Sequence, residues 1–221
     1  MKKFLIPILL MIMLLGLSAC TQTDVVGKAS VQSFAAIAAM ADVTADESFS
    51  GFALTAPDGS ARFLLSRNFA ATPTYDVALE FPAAPFLSAG LDASQLPDSM
   101  LVADKIVVGT DYGSQDFKDA AQASLAAAYE ELVRTNGQAI GYHKALDHYG
   151  IDLGGGNLFE WAKDLKTNDK DIVFVLDPKP FLDAGVDLAA VEGWIFAKVE
   201  TMDKNGNMIE VDKLLKPFDL Q

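Results

Sequence analysis

The chain has 221 residues, of which 51% are hydrophobic, and its 30 acidic and 17 basic residues give a net charge of −13 at pH 7. A surface this acidic repels phosphate backbones and lacks the basic stripe that nucleic-acid binding needs, so we exclude nucleic acid as a partner. The length and the supply of Phe, Leu, Val and Ile are sufficient for a sizeable hydrophobic core.

The first twenty residues have the pattern of an export signal. Lys2 and Lys3 precede an apolar run from Phe4 to Leu17. A helix that spans a bilayer needs about 20 apolar residues, and this shorter run favours a removable signal over a permanent anchor. Small residues then lead to the only cysteine of the chain, in the sequence Leu17-Ser18-Ala19-Cys20.

This tetrapeptide resembles the lipobox of bacterial lipoproteins. The resemblance implies that signal peptidase II removes residues 1–19, that the Cys20 thiol receives a diacylglyceryl group, and that the new amine receives a further acyl chain such as palmitate. Several chains on one residue anchor a protein stably, whereas one chain binds only marginally. The resemblance implies a location on the extracytoplasmic side of the cell membrane or the outer membrane. Thr21 follows Cys20, so an Asp that retains lipoproteins at an inner membrane is absent, which bears on the choice only in a cell with two membranes.

Removal of residues 1–19 leaves 202 residues with 15 basic and 30 acidic side chains, a net charge of −15. With Cys20 lipidated, the mature domain has neither a disulfide nor a catalytic thiol, so its stability must come from its core. Residues 20–30 are polar and without a periodic pattern, which predicts a lipidated cysteine followed by a tether.

Beyond the tether, the spacing of apolar residues predicts a helix over 31–42. Residues 52–56 and 63–65 alternate between apolar and polar on either side of Pro57-Asp58-Gly59. This pattern predicts a β-hairpin, and a third strand follows from Tyr75 to Phe81.

The sequence contains an internal duplication. Residues 76–96 align without a gap with residues 171–191, and seven of the 21 positions are identical, where unrelated sequences would share roughly one or two. Each copy predicts a strand, a short helix with Pro in its first turn and a left-handed Gly after its last turn, an Asp that caps a second short helix, and a closing strand. The paired features are Pro85 and Pro180, Gly90 and Gly185, Asp92 and Asp187, and strands over 100–109 and 194–201.

Two helices are predicted between the aligned segments. The first ends at Gly137, and the second covers residues 138–149 and ends at Gly150. The apolar residues that indicate the first helix are Phe117, Ala121, Leu125, Ala128 and Leu132.

Two further strands are predicted in the second half. Residues 159–165 align with 63–69, which favours a strand over a helix for 158–165. Asn205-Gly206 is a strong hairpin signal and predicts that residues 195–202 pair with residues 208–211.

The predicted architecture is a helix, a β-hairpin and a β-α-β unit, used twice. The first repeat covers residues 31–112 and the second covers 113–221. The fold class is therefore a mixed α+β or α/β fold, in which helices pack on mixed sheets related by a pseudo-two-fold axis.

Motifs for chemistry are few. The chain has no Gly-x-Ser-x-Gly elbow and no Walker or dinucleotide fingerprint. Gly154-Gly155-Gly156 is interpreted as a turn rather than an anion site, since a strand rather than a helix follows it. Residues 203–207 are interpreted as a hairpin turn rather than a calcium loop. The glycine comes one place before the third oxygen ligand instead of after it, and no bidentate Glu stands at the twelfth position of the loop.

The only histidines, His143 and His148, lie in the second predicted helix. On a helix His143 and Asp147 would share a face and could supply two metal ligands, with Asp152 or Glu160 recruited as further ligands. Two ligands hold no catalytic zinc, so the alternative is a polar helix end, and we predict neither a metal nor a cofactor.

Aromatic side chains crowd the same stretch. Trp161 has no counterpart in the first repeat, where Leu65 stands. Such clusters build either core or pocket. Unshared residues could distinguish a binding repeat from a scaffold repeat, so the predicted ligand-binding set is Tyr142, His143, Asp147, Tyr149 and Trp161.

These observations predict a non-enzymatic, membrane-anchored binding module whose ligand is a small molecule or an envelope protein. One alternative is an envelope hydrolase, with or without a metal, that uses His143 and Asp147. A second alternative is a structural or assembly lipoprotein without a pocket.

Overall fold

A computed structural model describes residues 25–68, 75–112, 121–144, 146–165, 170–202 and 207–220. Cys20 and the predicted leader lie outside these ranges. Within them the chain forms four helices and two six-stranded sheets, so the class is α+β. None of the helices in these ranges is long and apolar enough to cross a membrane.

The first sheet follows helix α1, which covers residues 25–40. Its strands lie in the order β1-β2-β3-β4-β6-β5. The predicted hairpin is confirmed, because Leu54 pairs with Phe63 and Ala56 closes the turn onto Ala61. The strands are β1 (Asp42–Asp46), β2 (Gly51–Thr55), β3 (Arg62–Ser66), β4 (Val77–Pro82), β5 (Leu101–Val102) and β6 (Lys105–Thr110), with helix α2 (Ala84–Ser88) after β4.

The second sheet follows helix α3 (Leu125–Asn136). Its strands lie in the order β7-β8-β9-β10-β12-β11. This is the same order as in the first sheet, with β7 in the place of β1, β8 in the place of β2, and so on. The strands are β7 (Ile140–His143), β8 (His148–Asp152), β9 (Leu158–Ala162), β10 (Ile172–Leu176), β11 (Ile195–Met202) and β12 (Met208–Phe218), with helix α4 (Lys179–Asp183) after β10.

Both sheets contribute to one hydrophobic core. Phe63 of β3 stacks on Phe159 of β9 with ring centroids 4.1 Å apart. Helices α1 and α3 meet in the same core, where Phe34 stacks on Tyr129 at 4.0 Å. Full burial of one such side chain stabilises a fold by about 1.5–3 kcal/mol, so these aromatic pairs hold the two sheets together.

The short helices α2 and α4 end as the sequence predicts. Gly90 has φ of 98° and Gly185 has φ of 86°. The next amide in each case, Leu91 N or Val186 N, donates back to the carbonyl of Phe86 or Phe181 at 3.0 and 2.9 Å. This is the hydrogen bond of a Schellman cap, which needs a left-handed residue at the glycine position.

The two caps also bond to each other. Asp92 N donates to Ala184 O, and Asp187 N donates to Ala89 O, both at 2.9 Å. The side chains of Asp92 and Asp187 cap the following turns, as predicted, although these turns are 3-10 rather than α-helical. The two halves of the chain are thus joined by reciprocal backbone hydrogen bonds at one point.

The helix predicted over 138–149 is wrong. Residues 140–143 and 148–152 instead form the antiparallel strands β7 and β8. Gly141 and Gly150 disfavour a helix, and the alternation of Ile140 and Tyr142 with Gly141 and His143 suits strand β7, which pairs with β8. Tertiary pairing therefore overrides the local helical spacing.

The first helix begins earlier than predicted and ends earlier too. Residues 25–30, expected in the tether, are helical, and Asp42 belongs to β1. Helix α3 begins at Leu125 because Ser124 caps it, accepting from Ala127 N at 3.2 Å. Phe117, which was expected in that helix, lies outside the described residues.

The sheets are antiparallel rather than mixed, since every strand pairing between described residues is antiparallel. The strand expected over 100–109 is a hairpin, reversed at Ala103 with φ of 57°. The reversal returns β6 antiparallel to β4 and removes the expected β-α-β crossover. Strand pairing confirms the expected 195–202 to 208–211 hairpin, whose Asn205-Gly206 turn lies outside the described residues.

We expect Gly90→Ala and Gly185→Ala each to lower the free energy of unfolding by about 1 kcal/mol or more, because a Cβ resists positive φ. A Cβ on Gly90 would also approach the Gly185 carbonyl oxygen to 3.3 Å. Urea denaturation measures the loss. Gly137→Ala is the matched control, since Gly137 has φ of −55° and open space around an added Cβ, and no loss is expected there. Wild-type stability of both cap variants would contradict the assigned geometry.

Candidate functional site

The predicted ligand-binding residues are divided between two faces of the second sheet. Side chains alternate along a strand, so Tyr149 and Trp161, which pair across β8 and β9, point to the core. His143 pairs with His148 and points to the opposite face, which we call the outer face of the sheet. The expectation that His143 and Asp147 share a helix face is therefore wrong, because both lie in a β-hairpin.

Trp161 is a core residue. Its side chain is fully buried against Phe34 and Tyr129. Its indole Nε1 donates to Ser33 Oγ at 3.0 Å, so the only polar atom of the ring is satisfied within the protein. Trp161 and Tyr149 are therefore both buried in the core and stabilise the fold.

Tyr142 and Asp147 meet at the end of the β7–β8 hairpin. The Tyr142 hydroxyl donates to the Asp147 carboxylate, and Lys163 Nζ lies 3.8 Å from the same carboxylate. The hydrogen bond to Asp147 raises the pKa of Tyr142 to about 12. Asp147 takes a left-handed conformation with φ of 53°. These contacts lie at the turn between β7 and β8 and do not include His143. His143 contacts a different residue.

That residue is Glu160, which the sequence indicates only as a further ligand that a metal at His143 and Asp147 would recruit. Glu160 lies on β9 between the core residues Phe159 and Trp161 and points to the outer face. His143 Nδ1 lies 3.4 Å from Glu160 Oε1, and His148 Nδ1 lies 4.0 Å from Glu160 Oε2. The Glu160 side chain is only 7% exposed, so a carboxylate between two imidazoles is buried on a sheet face.

A glycine on the neighbouring strand makes room for this carboxylate. Gly150 pairs directly with Glu160, and Gly141 pairs with Gly150 on the edge strand. A Cβ on Gly150 would lie 3.3 Å from Glu160 Cγ. In the sequence this site is visible only as two histidines five residues apart, with Gly141 and Gly150 beside them. The pattern indicates a shared site only once these residues are assigned to the paired strands β7 and β8.

The charge state of His143 depends on Glu160. The hydrogen bond and the charge of Glu160 raise the pKa of His143, although partial burial of the imidazole opposes the increase. A negative charge close to an imidazole stabilises the protonated, positively charged form of the ring. The group can therefore accept a proton or hold a hydrogen-bonding ligand.

The corresponding face of the first sheet is different. Leu64, one residue after Phe63, occupies the place on β3 that Glu160 occupies on β9, and it packs with Ala53 and Ala78. Beside it a closed row of ion pairs crosses the strands. Arg62 bonds Asp46 and Glu80, and Lys105 Nζ lies 2.8 Å from Glu80. These four side chains on the outer face of the first sheet thus neutralise one another.

A cavity of about 360 Å³ opens beside the outer face of the second sheet, next to the predicted Gly154–Gly156 turn. Lys213 lines this cavity and donates from Nζ to Gly156 O at 2.5 Å. Burial lowers the pKa of Lys213, while Asp177, Asp152 and Glu160 oppose the decrease. Lys213 and Glu160 therefore belong to one electrostatic neighbourhood.

The described residues contain no group of three or more His, Cys, Asp and Glu side chains arranged to hold a metal ion. The imidazole nitrogens of His143 and His148 instead face the two oxygens of one carboxylate. The arrangement is suited to hydrogen bonding and proton exchange.

Comparison with known proteins supplies no relative for this chain. No protein-family model, curated protein or solved structure matches it. The assignment of a function therefore depends on the side chains of the second sheet and on the pattern of the leader.

We expect Glu160→Gln to weaken the pH dependence of stability. Because Glu160 raises the pKa of His143, the stabilisation is present below the ordinary pKa of 6.5 and is lost as the pH rises through the raised value. Urea unfolding at pH 5.5 and 8.5 measures the free energy of unfolding at each pH. Its decrease from pH 5.5 to pH 8.5 should be smaller for the variant than for the wild type.

Asp76 titrates in the same range, since burial raises its pKa to about 7, and its contribution also falls as the pH rises. It is unchanged in the variant, so it cancels in the comparison. Glu80→Gln, whose neighbours are Arg62 and Lys105, should keep the wild-type pH dependence. Identical pH profiles for wild type and Glu160→Gln would show that Glu160 does not control His143.

Proposed function

We propose that the chain is a membrane-anchored extracytoplasmic lipoprotein whose domain is a non-enzymatic binding module. The lipobox resemblance at Cys20 supports the anchor, and the absence of catalytic motifs from the sequence supports a binding role. The mature charge of −15 favours cationic partners, since an acidic surface raises their local concentration.

We also propose that residues 31–112 and 113–221 are copies of one ancestral unit. The seven identities in 21 aligned positions, the shared strand order of the two sheets and the reciprocal caps support this origin. If the halves are copies, the residues that differ between corresponding faces are the first place to look for a binding site.

The ligand site that we propose is the outer face of the second sheet around Glu160. The observation that carries it is a carboxylate, almost fully buried, between His143 and His148 in place of an apolar Leu64. His143 is one-third exposed and connects this carboxylate to solvent. The ligand class that fits is a small cation or a hydrogen-bond donor such as an amine, attracted by Glu160.

The hydrolase alternative would use His143 and Asp147, which contact different residues: Asp147 bonds Tyr142 and Lys163, and His143 contacts Glu160. The second alternative is a structural or assembly lipoprotein without a pocket, and the paired charges around Arg62 on the first sheet are consistent with it.

The ligand proposal is tested by thermal unfolding of the full chain in detergent with spermidine, agmatine and choline as probes. A probe at 100 times its dissociation constant stabilises the folded state by about 2.7 kcal/mol. For a domain of this size, each kcal/mol raises the melting temperature by roughly 2–4 °C. Glu160→Gln should abolish the increase, and Glu80→Gln should preserve it. An increase of equal size in both variants would place binding elsewhere, and no increase with any probe would reject the ligand class.

The anchor is tested separately. We expect Cys20→Ser to abolish lipidation and to move the protein from the detergent phase to the aqueous phase in detergent partitioning, because the chain has no other thiol. Urea unfolding should show a domain as stable as the lipidated one. Unchanged partitioning of the variant would overturn the lipoprotein assignment.

A further inference from the structure

The β11–β12 hairpin extends beyond the second sheet as a two-stranded ribbon. Strand β12 pairs with β10 only over residues 214–218. From Met208 to Lys213 its partner among the described strands is β11 alone. A two-stranded ribbon in water is marginally stable by itself, so this extension gains from a further strand.

The outer strand β11 offers a long free edge. It has eight residues and ends the sheet, whereas the other three edge strands have five, two and four. No hydrogen bond between described residues joins the backbone of β11 to anything but β12. A row of unpaired amide and carbonyl groups is a template for strand addition.

Apolar side chains accompany this edge. Ile195 of β11 is 52% exposed and Ile209 of β12 is 40% exposed, both on the outer face. Val199 and Val211 pair between them on the same face and are half-buried. A strand added to β11 would cover part of this apolar surface.

The charges of β11 identify the partner strand. Lys198 and Glu200 lie on one face, two residues apart, on either side of Val199. If two β11 strands pair antiparallel with Val199 opposite Val199, each Lys198 lies opposite a Glu200. Centring the pair on residue 198 or 200 would instead place like charges opposite each other, which is unfavourable.

Pairing of this kind also relieves a repulsion within one chain. Glu200 lies directly opposite Glu210 in its own ribbon. Like charges in this position destabilise a strand pair, and Lys198 of a second copy would stand beside Glu200. At physiological salt the net charge of −15 on each copy is screened beyond about 8 Å, whereas directly opposed side chains are closer than that.

We propose that β11 is a self-association edge, which pairs with β11 of a second copy of this chain about a two-fold axis at Val199. The pairing joins two second sheets into one continuous twelve-stranded sheet. It depends on neither the Glu160 site nor the lipid anchor.

The register is tested in the full chain, in membranes of bacterial cells that express it. Val199→Cys places a cysteine opposite itself, within the Cα separation of 4.4–6.8 Å that a disulfide needs. We expect oxidation to give a cross-linked dimer. The wild type measures any background from Cys20, and Val43→Cys on edge strand β1 is the matched control. Cross-linking of Val199→Cys no greater than that of these controls would overturn the proposal.

Charge reversal then tests the pairing itself. In the Val199→Cys background, Lys198→Glu alone places Glu opposite Glu, and Glu200→Lys alone places Lys opposite Lys. Each change should reduce cross-linking about tenfold, since two opposed pairs change sign in each dimer. The two variants, co-expressed with different tags, should cross-link to each other at the wild-type level, because every pair is then attractive.

This rescue separates association from folding. A variant that failed to fold would not cross-link in the mixture, whereas a merely structural role of Lys198, which lies 3.2 Å from Asp212 in its own chain, would not produce selective mixed dimers. Equal cross-linking in all backgrounds, or no recovery in the mixture, would overturn the proposal.

Discussion

Two reciprocal hydrogen bonds, from Asp92 N to Ala184 O and from Asp187 N to Ala89 O, fix how the halves of this protein meet. They require a sharp turn of the backbone after α2 and after α4. A residue in the left-handed conformation at the end of each helix, Gly90 or Gly185, makes this turn. Once the caps are in contact, Phe86 and Phe181 lie 4.7 Å apart, and Phe63 stacks on Phe159 deeper in the core. The shared core follows from this meeting point.

A core closed in this way leaves each sheet with one free face, and strand alternation decides what that face carries. On the first sheet the residues between the core positions are Leu64 and the ion pairs around Arg62. On the second sheet the same alternation that buries Phe159 and Trp161 directs Glu160 outward. The residue between Phe159 and Trp161 therefore gives the second sheet a buried carboxylate, whereas the outer face of the first sheet has Leu64 and four charged side chains that pair with one another.

The sequence predicts local features well where one residue type has one physical role. Gly90 and Gly185 are predicted with their positive φ because no other residue tolerates it cheaply. The Glu160 site could not be predicted, since it needs the pairing of β8 with β9, and helical spacing in residues 138–149 indicated the wrong element. Spacing alone does not separate a short helix from a glycine-containing hairpin, because the neighbouring strand that settles the choice lies outside the segment.

The differences between the two sheets are concentrated at positions that the core does not constrain. Glu160 faces away from the core on β9, where Leu64 stands at the corresponding place on β3, and the β11–β12 ribbon extends where the first sheet has only the two-residue strand β5. Phe63 and Phe159, by contrast, stack on each other in the core, where a smaller side chain would leave a cavity. The two similar sheets therefore share the core positions and differ at the outer face and at the free edge, which are the two places where we propose that the second sheet contacts partners.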